Sequence, residues 1–150
     1  MKLAGGLLDL PPQPHFPGRN ARPDDSVFAP LKATLVGCET PDALQQSAVF
    51  AAGFEAFHAG YFWEAHELWE PVWLQLPPAS RERHVLQGLI QLANAALKRR
   101  MGLGAASDRI LLRADTALEA GFAGTTNPVM GISRRYSASL RCTSIKIDVI

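Results

Sequence analysis

The sequence predicts an all-α protein, a small up-and-down helical bundle of about four helices with an extended, proline-rich N-terminal arm. Three observations carry this. Across residues 41–122 apolar side chains recur at helical spacing, and no segment there alternates with period two. Pro11, Pro12, Pro14, Pro17, Gly18, Pro23 and Pro30 crowd the first 40 residues. With 150 residues, 47% of them hydrophobic, the chain has room for one domain with its own core. The expected divisions are an arm over 1–40, a helical domain over 41–122 and an irregular tail over 123–150.

In the arm, proline spacing forbids a helix and leaves extended chain with turns. Thr40-Pro41-Asp42 has the form of an N-cap followed by proline at the first helical position. A first helix then runs to Ala59, with Val49, Phe50, Ala52, Phe54, Ala56 and Phe57 along one side, and Gly60 ends it. The second covers Tyr61 to Gln75 and stops before Pro77-Pro78. A third starts at Ser80 and ends at Met101-Gly102, with Lys98, Arg99 and Arg100 at its negative terminus. The fourth covers Ala105 to Ala120 and is closed by Gly121. Connections this short make consecutive helices antiparallel neighbours.

Charge and cysteine content exclude several classes. Fifteen Lys and Arg against 14 Asp and Glu leave a formal charge of +1, which argues against nucleic acid or an anionic membrane as the main partner. Cys38 and Cys142 match no zinc or redox spacing, as suits a reducing compartment. No apolar run approaches the roughly 18 residues of a membrane span. The opening MKLAGGLLDLPP has one Lys, and Asp9 interrupts its apolar stretch, so it makes a poor signal peptide. A soluble, cytoplasmic protein is expected.

The stretch FHAGYFWEAHELWEPVW, residues 57–73, holds the candidate site. On a helix His66 and Glu70 lie one turn apart, and Trp73 follows on the same side. They border an apolar stripe of Phe62, Ala65, Trp69, Val72, Trp73 and Leu76, so both should be part-buried. Between Lys32 and Arg81 there is no Lys or Arg, yet Glu55, Glu64, Glu67 and Glu70 fall there. Such carboxylates need raised pKa values or a cation from elsewhere. On the third helix Gln87 and Gln91, with Asn94, form an amide stripe that could answer the pair, and Gly88 suits close approach of another helix.

Three functions fit. The leading one is a binding module whose His66, Glu70, Trp73, Gln87 and Gln91 take a small ligand or a divalent metal held by His66 and Glu70. A second is a metal-dependent hydrolase with those two ligands and Glu67 as general base. Its signal is weak, because Glu70 stands where zinc proteases have the second histidine of His-Glu-x-x-His. The third is an interaction or oligomerisation module in which the pair only fixes helix packing. Trp63, off the main stripe beside Glu67 and Leu74, suggests a homodimer contact.

The order of motifs, Gly60-Tyr61, then His66-x-x-x-Glu70-x-x-Trp73, then Gln87-Gly88-Leu89-Ile90-Gln91, resembles the bacterial and archaeal domain of unknown function 309 over residues 50–120. The arm PPQPHFPGRNARP also resembles a Pro-Gly-Arg leader of some members. The resemblance implies an all-helical fold and a motif, here His66, Glu70 and Trp73, suspected of ligand or metal binding. It implies no established activity. The tail departs from it, since SRRYSASLRCTSIKIDVI lacks an apolar-periodic helix and leaves Ile145, Ile147, Val149 and Ile150 as a stray strand or sticky end.

Overall fold

Helices make up nearly all the regular structure that the computed structural model describes, residues 8–150. Seven α-helices occur among the described residues, against about four expected, and no sheet. The chain divides into two compact units, residues 1–75 and 76–150.

In the first unit the arm corrects the expectation of extended chain. Asp25–Val27 and Ala33–Leu35 are 3-10 turns flanking a one-turn helix, α1 (Ala29–Lys32). Pro30 sits in the first turn of α1, where its missing N–H has no intrahelical partner to lose. Five arm side chains are buried: Leu8, Leu10, His15, Phe28 and Leu35. The signal-peptide reading falls mostly on residues 1–7, outside the described ones.

The helix expected over 41–59 is two helices. Thr40 caps α2 (Pro41–Gln45), its hydroxyl accepting the Ala43 N–H at 3.1 Å. Ser47 is extended, at φ −69° and ψ 146°, and caps α3 (Ala48–His58) by accepting the Phe50 N–H. A serine that can satisfy an orphan N–H restarts the helix, which continuous apolar spacing conceals. Gly60 then closes α3 in a left-handed conformation, φ 83°, and α4 (Phe62–Gln75) follows. Pro71 lies inside α4.

Packing of α3 on α4 centres on Trp69, which is fully buried. Its indole N–H donates to the Phe50 carbonyl at 3.2 Å, and Phe54 meets its ring edge-on at 4.9 Å. Gly53 faces the indole so closely that an alanine Cβ would fall within the ring.

The second unit is built on α5 (Arg81–Arg100) and α6 (Gly104–Phe122), joined by three residues. Ser80 caps α5 as expected. Ten of the α5 residues are buried, as its nearly continuous apolar girth implies for a central helix. A Cβ on Gly88 would lie 2.5 Å from Leu118, so this mid-helix glycine does mark a close approach. Gly121 does not end α6. It lies inside that helix, against Val85 and the Arg81 carbonyl.

The tail expected to be irregular contains α7 (Arg134–Ile145), packed on α5. Ser133 caps it, and its buried face is Ser137, Leu140 and Ser144. Small polar residues on that face hide it from apolar periodicity. Ser144 satisfies its hydroxyl on the Leu92 carbonyl at 3.1 Å. Arg134 closes the loop by donating to the Phe122 and Thr125 carbonyls. Ile145 ends α7, and residues 147–150 form no strand: the Ile150 N–H donates to the Arg100 carbonyl at 2.9 Å.

Two glycines test this packing in opposite directions. Gly53→Ala should destabilise by about 2 kcal/mol or more, because the buried Trp69 cannot yield. Gly104→Ala, in open space at the start of α6, should be neutral or stabilising by up to about 1 kcal/mol. Urea unfolding of the two variants beside wild type reads both signs.

Candidate functional site

The first turns of α4 present carboxylates to three environments, set by helical geometry. Glu64 and Glu67 are three residues apart, and Glu67, His66 and Glu70 fall within one turn and its neighbour. Glu64 is fully buried. One of its oxygens, Oε2, accepts the backbone N–H of His15 from the arm at 2.9 Å, while Oε1 has no hydrogen-bond partner in the structure. Burial pushes its carboxyl above the ordinary value of 4.5, and nearby Glu67 adds repulsion; the His15 N–H pulls the other way.

The arm is held there by several contacts. Tyr61 donates its hydroxyl proton to the Pro11 carbonyl at 2.7 Å. Asn20 accepts the Phe16 N–H at 2.8 Å and donates to the Pro14 carbonyl at 2.9 Å. Its Oδ1 also lies 3.0 Å from His15 Nδ1, which places that ring's proton on Nδ1. The His15 ring meets Trp63 edge-on at 4.7 Å, and the Arg22 guanidinium lies over the same indole at 5.6 Å. Trp63, where the sequence suggests a homodimer contact, carries these arm residues on its ring.

His66 and Glu70 pair as their spacing predicts, Nε2 to Oε2 at 2.7 Å. A carboxylate only accepts, so the proton belongs to Nε2. The side chains are 28% and 46% exposed, so His66 is part-buried and Glu70 more open than expected. Glu67 joins them: one donor atom from each of His66, Glu67 and Glu70 lies within 4.8 Å of the others. Lys32 of α1 reaches Glu67, with Nζ 3.8 Å from Oε2. The cation missing from the local sequence thus comes from the arm, through Lys32 at Glu67 and Arg22 at Trp63. Trp73 is part-buried on the same helix. Gln87 and Gln91 line a groove of about 450 Å³ in the second unit with His84, Leu112, Arg113 and Thr116.

Residues 50–109 match the family model of a domain of unknown function, DUF309. That likeness covers less than half of the 150 residues. No curated protein and no solved structure matches the chain. The matched segment contains most of α3, all of α4 and α5 and the start of α6, and with them His66, Glu67, Glu70, Trp73, Gln87 and Gln91. The arm that touches Glu64, Trp63 and Glu67 lies outside it. Among the described residues no helix is long and apolar enough to cross a membrane.

Helical periodicity places Glu64 on α4 but says nothing of a donor 49 residues away. Two measurements follow. Asn20→Ala removes the contacts that shape the loop over residues 14–20 and should cost about 1–2 kcal/mol, with a red shift of tryptophan emission as Trp63 is uncovered. Glu64 gives a pH dependence. Its folded pKa is raised, so the folded state holds the proton longer than the unfolded chain, and stability falls as pH climbs from about 4.5 through the folded value. Glu64→Gln keeps an acceptor for His15 without the charge. Its melting temperature should fall less than wild type's between pH 4.5 and 8; parallel curves would show that Glu64 does not set this dependence.

Proposed function

We propose that this protein is a helical binding module that takes a divalent transition-metal cation at His66, Glu67 and Glu70. One observation carries the reading: three potential ligand atoms of one nitrogen and two oxygens converge within 4.8 Å on one helix. Donors about 2.1 Å from a cation stand about 3–4 Å apart, a change within side-chain reach for groups this exposed. An N,O,O set suits manganese, iron or zinc better than calcium or magnesium. The His66 Nε2 proton, now shared with Glu70, occupies the direction a cation would take. Proton and cation therefore compete, and affinity falls toward acid pH.

Glu67 belongs to the donor set, which supports binding over hydrolysis: a carboxylate engaged as a ligand is not also a free general base. The partial exposure of all three side chains leaves coordination positions for water or a small ligand, with Trp73 on the next turn of α4. The cytoplasm suits such a protein, whose Cys38 and Cys142 are both free thiols.

Calorimetry and elemental analysis of tag-free protein test the reading. Wild type should bind about one Mn²⁺ or Zn²⁺ per chain, more weakly at pH 6 than at pH 8. His66→Ala and Glu70→Gln should each weaken binding at least about tenfold. Absence of binding by wild type at millimolar metal, or full retention by His66→Ala, would overturn it.

A further inference from the structure

The cluster on α4 already meets a cation. Lys32 ends α1 with its ammonium 3.8 Å from Glu67 Oε2, the two side chains 34% and 26% exposed. It is the last Lys or Arg in sequence before Arg81. Its position is set from both sides, because Phe28 before it and Leu35 after it are buried. Within α1 and its flanking turns, the Lys32 N–H bonds to the Phe28 carbonyl, and the Thr34 hydroxyl donates to the Leu31 carbonyl. An ammonium on this short, anchored scaffold faces the one carboxylate of the cluster that is not hydrogen-bonded to His66.

We propose that Lys32 is a tethered counter-cation for the His66, Glu67 and Glu70 cluster, competing with a divalent ion for Glu67, so that loading the site loosens the α1 segment. This rests on the metal reading above and adds its regulation. A divalent ion bound by Glu67 removes the carboxylate charge that Lys32 faces and replaces it with net positive charge a few ångströms away. The ammonium then has no reason to stay, and repulsion moves it outward. The pair is long and partly solvated, so Lys32 is a weak competitor rather than a block. That grade of competition shifts affinity by a small factor. Coupling is reciprocal: whatever Lys32 costs the metal, the metal costs the docking of α1. The groups facing Glu67 are then its cluster partners His66 and Glu70, the buried Glu64 on the same helix, and Lys32 from α1. Lys32 is the one cation among them that the arm can withdraw.

Mn²⁺ titration of the full chain tests this, with wild type, Lys32→Met and Arg22→Met compared at one pH and low salt. Lys32→Met should bind about 3–10-fold tighter. Arg22→Met, which removes an equal charge from Trp63 instead of Glu67, should stay within about twofold of wild type. In wild type, saturating Mn²⁺ should speed amide exchange across residues 29–35 and leave 48–58 unchanged. Lys32→Gln serves if Lys32→Met does not fold. Equal affinity of wild type and the Lys32 variant, with Mn²⁺ bound by both, overturns the role of Lys32 and leaves the metal site standing. Equal gains in the Lys32 and Arg22 variants also overturn it, because general charge then explains the effect. No Mn²⁺ binding by any variant overturns both readings together.

Discussion

Burial of Glu64 is the constraint from which the first unit's organisation follows. A carboxyl group with no solvent exposure must lose its charge or find donors, and one of its donors comes from outside α4. The donor is a backbone N–H of the arm, so the arm must lie against α4 in one register. Asn20 shapes the turn that presents that N–H, and Tyr61 holds the strand of chain leading into it. Once residues 11–20 are set, Arg22 meets Trp63, and the short helix that follows brings Lys32 to Glu67. A proline-rich leader becomes part of the solvation of a helix.

The helical domain was legible where a rule local in sequence decided the outcome. Apolar spacing and serine, threonine and glycine caps placed α4 and α5 within a residue or two, and Gly88 signalled its close contact correctly. The rule failed where a polar group did the work of an apolar one. Ser47 broke a helix that looked continuous, and Ser137 and Ser144 gave α7 a buried face with Leu140 as its one apolar residue. Proline counts misread the arm because Pro30 stands in the one helical turn that tolerates it.

Legibility of the site follows the same division. Spacing alone placed His66 beside Glu70, since four residues on a helix allow few other outcomes. The cation gap between Lys32 and Arg81 left two outlets, and the structure uses both: the Glu64 carboxyl pKa is raised by burial, and Lys32 reaches Glu67. Which cation arrives is a tertiary fact. Lys32 meets Glu67 because buried Phe28 and Leu35 fix α1 there. Glu67, the general base of the hydrolase alternative, lies with His66 and Glu70, one potential ligand atom of each within 4.8 Å of the others.

A donor set drawn from one helix has a consequence for what it can hold. Positions i, i+1 and i+4 span little more than one side of a helix, so they approach a cation from a single hemisphere. Such a set cannot close a tetrahedral or octahedral shell, as structural metal sites with ligands from several elements do. The other hemisphere belongs to water, to a small ligand or to a group from another part of the chain. Lys32 approaches Glu67 in just this way, as a tethered group that supplies charge without a lone pair: it can neutralise the carboxylate but cannot complete a metal's coordination. On the proposed reading, an open hemisphere beside a tethered ammonium is the arrangement of a capture point that exchanges its contents, not of a staple of the fold.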